Sequence, residues 1–95
     1  MAAYIVVQVE VKDPARYDRY KSLVPSSLEK YGGRFIVRGG RTETLEGDWA
    51  PKRFVIVEFP SLDQAKAFYH SPEYTQVKAL RAGAAVGQFL AVEGA

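Results

Sequence analysis

The chain has 95 residues, 47% hydrophobic and 25% charged, which is enough apolar material for one core and far from the composition of a disordered chain. It contains no cysteine, which excludes disulfides and cysteine-based zinc sites and fits a reducing cytoplasm. Its 13 Lys and Arg exceed its 11 Asp and Glu by two and are scattered among the acids, so no polyanion footprint stands out. No apolar run approaches the ~20 residues of a membrane span. Met1-Ala2-Ala3 passes directly into a strand-like run without an export-signal pattern. The expectation is a single cytoplasmic domain over residues 1–95 with no membrane partner.

Residues 3–11 place Ile5, Val7, Val9 and Val11 at period two, the signature of a first strand. Asp13-Pro14 is a helix start, an acceptor for orphan amides followed by a residue that needs no donor. Tyr17, Tyr20, Val24, Leu28 and Tyr31 give the helix one apolar face. Pro25 inside it predicts a kink or a restart, and Gly32 a left-handed stop. The second strand is read over Arg34–Arg38, with Gly39-Gly40 as a bulge or bend before an edge extension from Thr42 to Glu46. After the turn residues of Gly47–Pro51, Arg53–Phe59 is the third strand. Ser61 and Ser71 each open a helix; Tyr74, Val77 and Leu80 form the buried side of the later one, and Gly83 and Gly87 mark its end. Gln88–Glu93 is the last strand.

The order β-α-β-β-α-β, with its second helix split, predicts an α+β, ferredoxin-like fold: a four-stranded antiparallel sheet with helices on one face. Strict alternation assigns Phe35, Val37, Val55, Val57 and Phe59 to the helices. The open face then carries Tyr4, Val6, Gln8, Arg34, Ile36, Arg38, Phe54, Ile56 and Glu58, joined by either Phe89 and Ala91 or Leu90 and Val92. That face is too apolar to lie in water and too charged for a dry core. Two copies could pack these faces around a partly polar cavity, with Arg38 paired to Glu58. The other reading, a single-stranded RNA module, meets a partial RNP1 pattern at Lys52, Phe54, Val57 and Phe59. It is the weaker one, because Arg53 stands where glycine is expected and Ile56 where a stacking aromatic is expected.

Tyr31-Gly32-Gly33-Arg34-Phe35-Ile36-Val37-Arg38-Gly39-Gly40, then Leu45-Glu46-Gly47-Asp48-Trp49, Arg53, Phe59-Pro60-Ser61 and Tyr69-His70-Ser71-Pro72-Glu73-Tyr74 resemble the DUF1330 family in content and order. The resemblance spans almost the whole chain. It implies a homodimeric α/β-barrel of ferredoxin-like subunits, within a wider group that includes cofactor-independent monooxygenases, muconolactone-type isomerases and haem-dependent enzymes. It implies no reaction and no catalytic residues for this chain.

From the residues themselves, Arg38 beside Gly39-Gly40 suits a carboxylate or enolate oxygen, and an ion pair within the dimer face is the plainer alternative. His70, the only histidine, is a candidate general base, although a polar residue at a helix junction is the favoured reading. Trp49 on its turn would close a pocket or pack on a partner, and Tyr69 and Tyr74 could offer hydroxyls to a ligand. The glycine pairs match neither Walker A nor G-x-G-x-x-G. The expectation is a homodimer with a small-molecule pocket and no cofactor or metal. It would act on an organic acid or carbonyl compound; the alternative is a structural dimer without a ligand.

Overall fold

A computed structural model describes residues 1–95. The elements are β1 (Ala3–Val11), α1 (Pro14–Glu29), β2 (Arg34–Arg38), β3 (Arg53–Phe59), α2 (Leu62–Tyr69), α3 (Pro72–Lys78), a 3-10 turn over Ala79–Arg81, and β4 (Ala85–Glu93). All neighbouring strands are antiparallel in the order β2-β3-β1-β4, and the helices cover one face: this is the ferredoxin-like α+β fold. No helix is long and apolar enough to cross a membrane.

Alternation along β1 buries Ala3, Ile5, Val7 and Val9 against the helices. They join Val55, Val57 and Phe59 of β3 and Tyr17, Tyr20, Val24 and Leu28 of α1 in one cluster. The Asp13 side chain caps α1 by accepting from the Arg16 amide at 3.2 Å; Ser61 and Ser71 cap α2 and α3 in the same way. Gly32 ends the α1 connection at φ +76°.

Three local readings of the sequence are corrected. Pro25 does not restart α1, which runs unbroken from Pro14 to Glu29. A proline at this position cannot donate to the carbonyl four residues earlier, Lys21 O, and Arg38 Nη2 donates to that oxygen instead, at 3.1 Å. Gly39 forms the bend expected at the end of β2, and a bulge that the sequence reading missed lies at Ile36: Phe35 faces Val57, Val37 faces Ile56 and Arg38 faces Val55. Thr42–Glu46 forms no strand, because β2 is the edge of the sheet and nothing lies beyond it to pair with. Gly87 does not end the last helix but lies inside β4, which begins at Ala85 and pairs Gly87 with Val9.

Glu73, in the first turn of α3, ties that helix to the end of α1 by accepting from Lys30 Nζ at 2.6 Å and the Tyr31 hydroxyl at 2.9 Å. The Lys30 hydrogen bond, then Glu73's own backbone amide and Tyr31, lower its pKa from 4.5 to about 2. A carboxyl depressed on folding adds stability above its unfolded pKa and loses it as pH falls through its folded one. Glu73→Gln is therefore expected to melt below the parent at neutral pH, with the gap closing between pH 4.5 and about 2. A gap in Tm that stays constant across that window would contradict this.

Candidate functional site

One extra residue in β2 decides where the site lies. Ile36 and Val37 together oppose Ile56, so the alternation slips by one and Arg38 turns to the helix face with Phe35 and Val55. The expected Arg38–Glu58 pair is accordingly absent; Glu58 is held by Arg34 at 2.7 Å. On the last strand Phe89 points into the core, while Leu90 and Val92 lie on the open face.

Arg38 borders a cavity of about 50 Å³ between the sheet and the helices. Thirteen of the 16 lining residues are hydrophobic, so the few polar groups stand out. The floor is a row across the sheet, Arg38–Val55–Val7–Phe89, each residue facing the next. At the β2 end the Arg38 guanidinium lies 4.2 Å over the Phe35 ring. Arg53 reaches the same end from β3. Its guanidinium lies against Gly39, next to Arg38, where a Cβ would push it aside. Gly39 also adopts φ +73°, a conformation that L side chains rarely take. Arg53 Nε is buried without a hydrogen-bond acceptor, and neither Arg38 nor Arg53 pairs with a carboxylate. Lys21, at the same end, already pairs with Asp18 at 3.2 Å.

Deeper in, the Tyr20 and Tyr74 hydroxyls meet at 2.7 Å, and Tyr74 is 1% exposed. Burial, reinforced by the neighbouring Tyr74, pushes the Tyr20 hydroxyl far above the ordinary tyrosine range. Tyr20 therefore stays protonated and works as a neutral hydrogen-bonding group rather than as a base. Tyr69 packs at a tilt against Tyr74 and Phe89, at centroid distances of 5.6 and 5.8 Å.

Of the residues singled out in the sequence, the cavity brings together Arg38, Tyr69 and Tyr74. Trp49 stands apart, on the opposite face of the sheet: its Nε1 donates to Gln8 Oε1 at 2.7 Å and its ring meets Phe54 edge-on at 5.6 Å. His70 caps the end of α2, exposed, beside a groove between α2 and β4. It meets Tyr69 edge-on at 5.3 Å and does not line the Arg38 cavity. The sequence reading missed Arg53, Tyr17 and Tyr20 as lining residues. Arg53 had a usable signal, since it shares the parity of Val55 and Val57 on a helix-facing strand.

A family model described as "Domain of unknown function (DUF1330)" matches residues 2–95. No curated protein matches the chain. Among solved structures, a Rhodopseudomonas palustris protein of unknown function is similar at TM-score 0.77 and 18% identity, over 99% of this chain and 82% of that one. SnoaB from Streptomyces nogalater, described as a cofactor-independent oxygenase, is similar at 0.67 and 10%, over 99% and 93%. A protein from Jannaschia sp. CCS1, described as dimeric and ferredoxin-like, is similar at 0.65 and 12%, over 99% and 100%. At these identities the likeness shows the fold.

Proposed function

This chain belongs to the DUF1330 family, and within that family we propose that it is a homodimeric protein that binds a small organic anion in the cavity between its helices and its sheet. One observation carries the reading: Arg38 and Arg53 converge, without acidic partners, on the end of a cavity that is otherwise apolar. A guanidinium presents five donors and favours planar, bidentate contact with a carboxylate. At about 50 Å³ the cavity has room for a compact acid of a few heavy atoms. Guanidinium charge and neutral hydroxyls bind and polarise a carboxylate or carbonyl group, which is sufficient equipment for cofactor-independent chemistry on an organic acid or carbonyl compound. The likeness to SnoaB agrees with that reading.

Self-association would use the open face. Val6, Ile56, Val37 and Leu90 form one row across it, and Trp49, Val86, Leu90 and Val92 are 44–66% exposed. A contiguous apolar surface of this kind marks a contact site, and similar proteins are described as dimeric.

A second reading has its own observation. Arg38 already donates to the Lys21 carbonyl that Pro25 leaves without a helical partner, which is a structural task. Thermal unfolding with acetate and with acetamide separates the two. A ligand that binds only the folded state raises Tm by mass action. The proposal expects acetate, and not acetamide, to raise Tm; no shift with acetate or a panel of similarly compact carboxylates would leave only the structural reading.

A further inference from the structure

Leu45 is the most exposed large hydrophobic residue of the chain, at 96%, yet its loop is held in place. The adjacent Thr44 hydroxyl donates to the Trp49 carbonyl, and Trp49 Nε1 donates to Gln8 on the sheet. Thr42–Glu46 has β-prone threonines but no neighbouring strand in its own chain, and Glu43 and Glu46 enter no ion pair.

At the opposite edge of the sheet, β4 pairs with β1 alone over nine residues. The Gly94 amide donates to Ala2 O and the Lys12 amide to Ala84 O, and the register between them is unbroken. Even-numbered residues of β4 therefore exchange hydrogen bonds with β1, so the amides and carbonyls of Phe89 and Ala91 point outward from the edge. A long edge with a single charged residue, Glu93, is a template for another strand. Beside it runs a groove of about 210 Å³ between β4 and α2. Six of its eight lining residues are hydrophobic; the other two, Lys66 and His70, stand one helical turn apart and pair with no acid.

We infer that Thr42–Glu46 of a second copy adds to the outer edge of β4, with Leu45 in this groove and Glu43 beside Lys66 and His70. This rests on the reading that two copies associate through their open faces. Because β2 and β4 are opposite edges of the sheet, a two-fold axis along the strands sets β2 of one copy against β4 of the other. The loop after β2 then lies level with Gly87, since Arg53, which follows the loop, shares a row with Val9 and Gly87. Phe89 and Ala91 are the next outward-pointing residues of β4. Period two puts Glu43 and Leu45 on one side of an extended segment and Thr44 on the other. The leucine thus meets the apolar floor and the carboxylate the basic side chains, while Thr44 keeps Trp49.

Sedimentation velocity over a range of concentrations tests the docking on the full chain. A symmetric dimer makes the contact twice, so Leu45→Ala is expected to raise the dimer dissociation constant about a hundredfold. The residue is exposed in a single chain, so far-UV circular dichroism should be unchanged. Glu43→Lys is expected to weaken the dimer about tenfold, and Glu43→Lys/Lys66→Glu to restore it. An unchanged constant for Leu45→Ala, or a charge swap that restores nothing, would overturn this docking and leave the open-face dimer standing. A parent that stays monomeric throughout would overturn self-association and this inference with it.

Discussion

The double variant Val86→Glu/Leu90→Glu is expected to run as a monomer of 10.6 kDa where the parent chain runs at twice that mass. Both side chains stand on the open face of β4, 66% and 64% exposed, so carboxylates at these positions meet water in a single chain and leave its fold intact. In a two-fold dimer each substitution appears twice, and an isologous interface would enclose four unpaired charges. Burying a charge without a partner costs several kcal/mol apiece, more than a small interface can absorb. Light scattering after size exclusion reads the outcome. A variant that keeps the doubled mass, or a parent that is already a monomer, would contradict the assignment of this face to self-association.

The second large effect concerns the packing of the turn between α1 and β2. Gly33→Val is expected to destabilise the fold by about 3 kcal/mol, which in a domain this short lowers Tm by on the order of 10–20 °C. A Cβ at Gly33 would lie 2.6 Å from Phe59 Cε1 and 2.9 Å from Leu28 Cδ1 and Cγ. Phe59 is 1% exposed and Leu28 2%, so neither has space to retreat into. Gly40→Ala supplies the control, since nothing lies within 4 Å of a Cβ there, and it should melt with the parent. Thermal denaturation followed by circular dichroism compares the three. Equal Tm for Gly33→Val and the parent would refute this account of the core.

These residues also show what a sequence can and cannot reveal. β1 and β3 were legible because period-two alternation is local, and the starts of all three helices were legible because Asp13, Ser61 and Ser71 cap within three residues of themselves. The slip at Ile36 was not. A bulge is defined against the opposing strand, and a single extra residue leaves the composition of β2 unchanged while moving Arg38 to the other face. The continuity of α1 through Pro25 depends on the same residue from another element, since Arg38 supplies the donor that proline lacks. Trp49 was recognised as a covering residue, but which surface it covers depends on Gln8 and Phe54, 41 and five positions away. Arg38, Tyr69 and Tyr74 could be named from the sequence; that Arg53 joins Arg38 through the gap at Gly39 is a fact of packing.

The central claim is that the anion is held by Arg38 and Arg53 on the helix side of the sheet. Calorimetric titration of acetate into the parent, Arg38→Gln and Arg53→Gln tests it most directly. The account predicts binding by the parent and a fall of about ten- to a hundredfold for each variant, since each loses a charge-assisted contact worth about 1.5–3 kcal/mol. Undiminished affinity in both variants would contradict it.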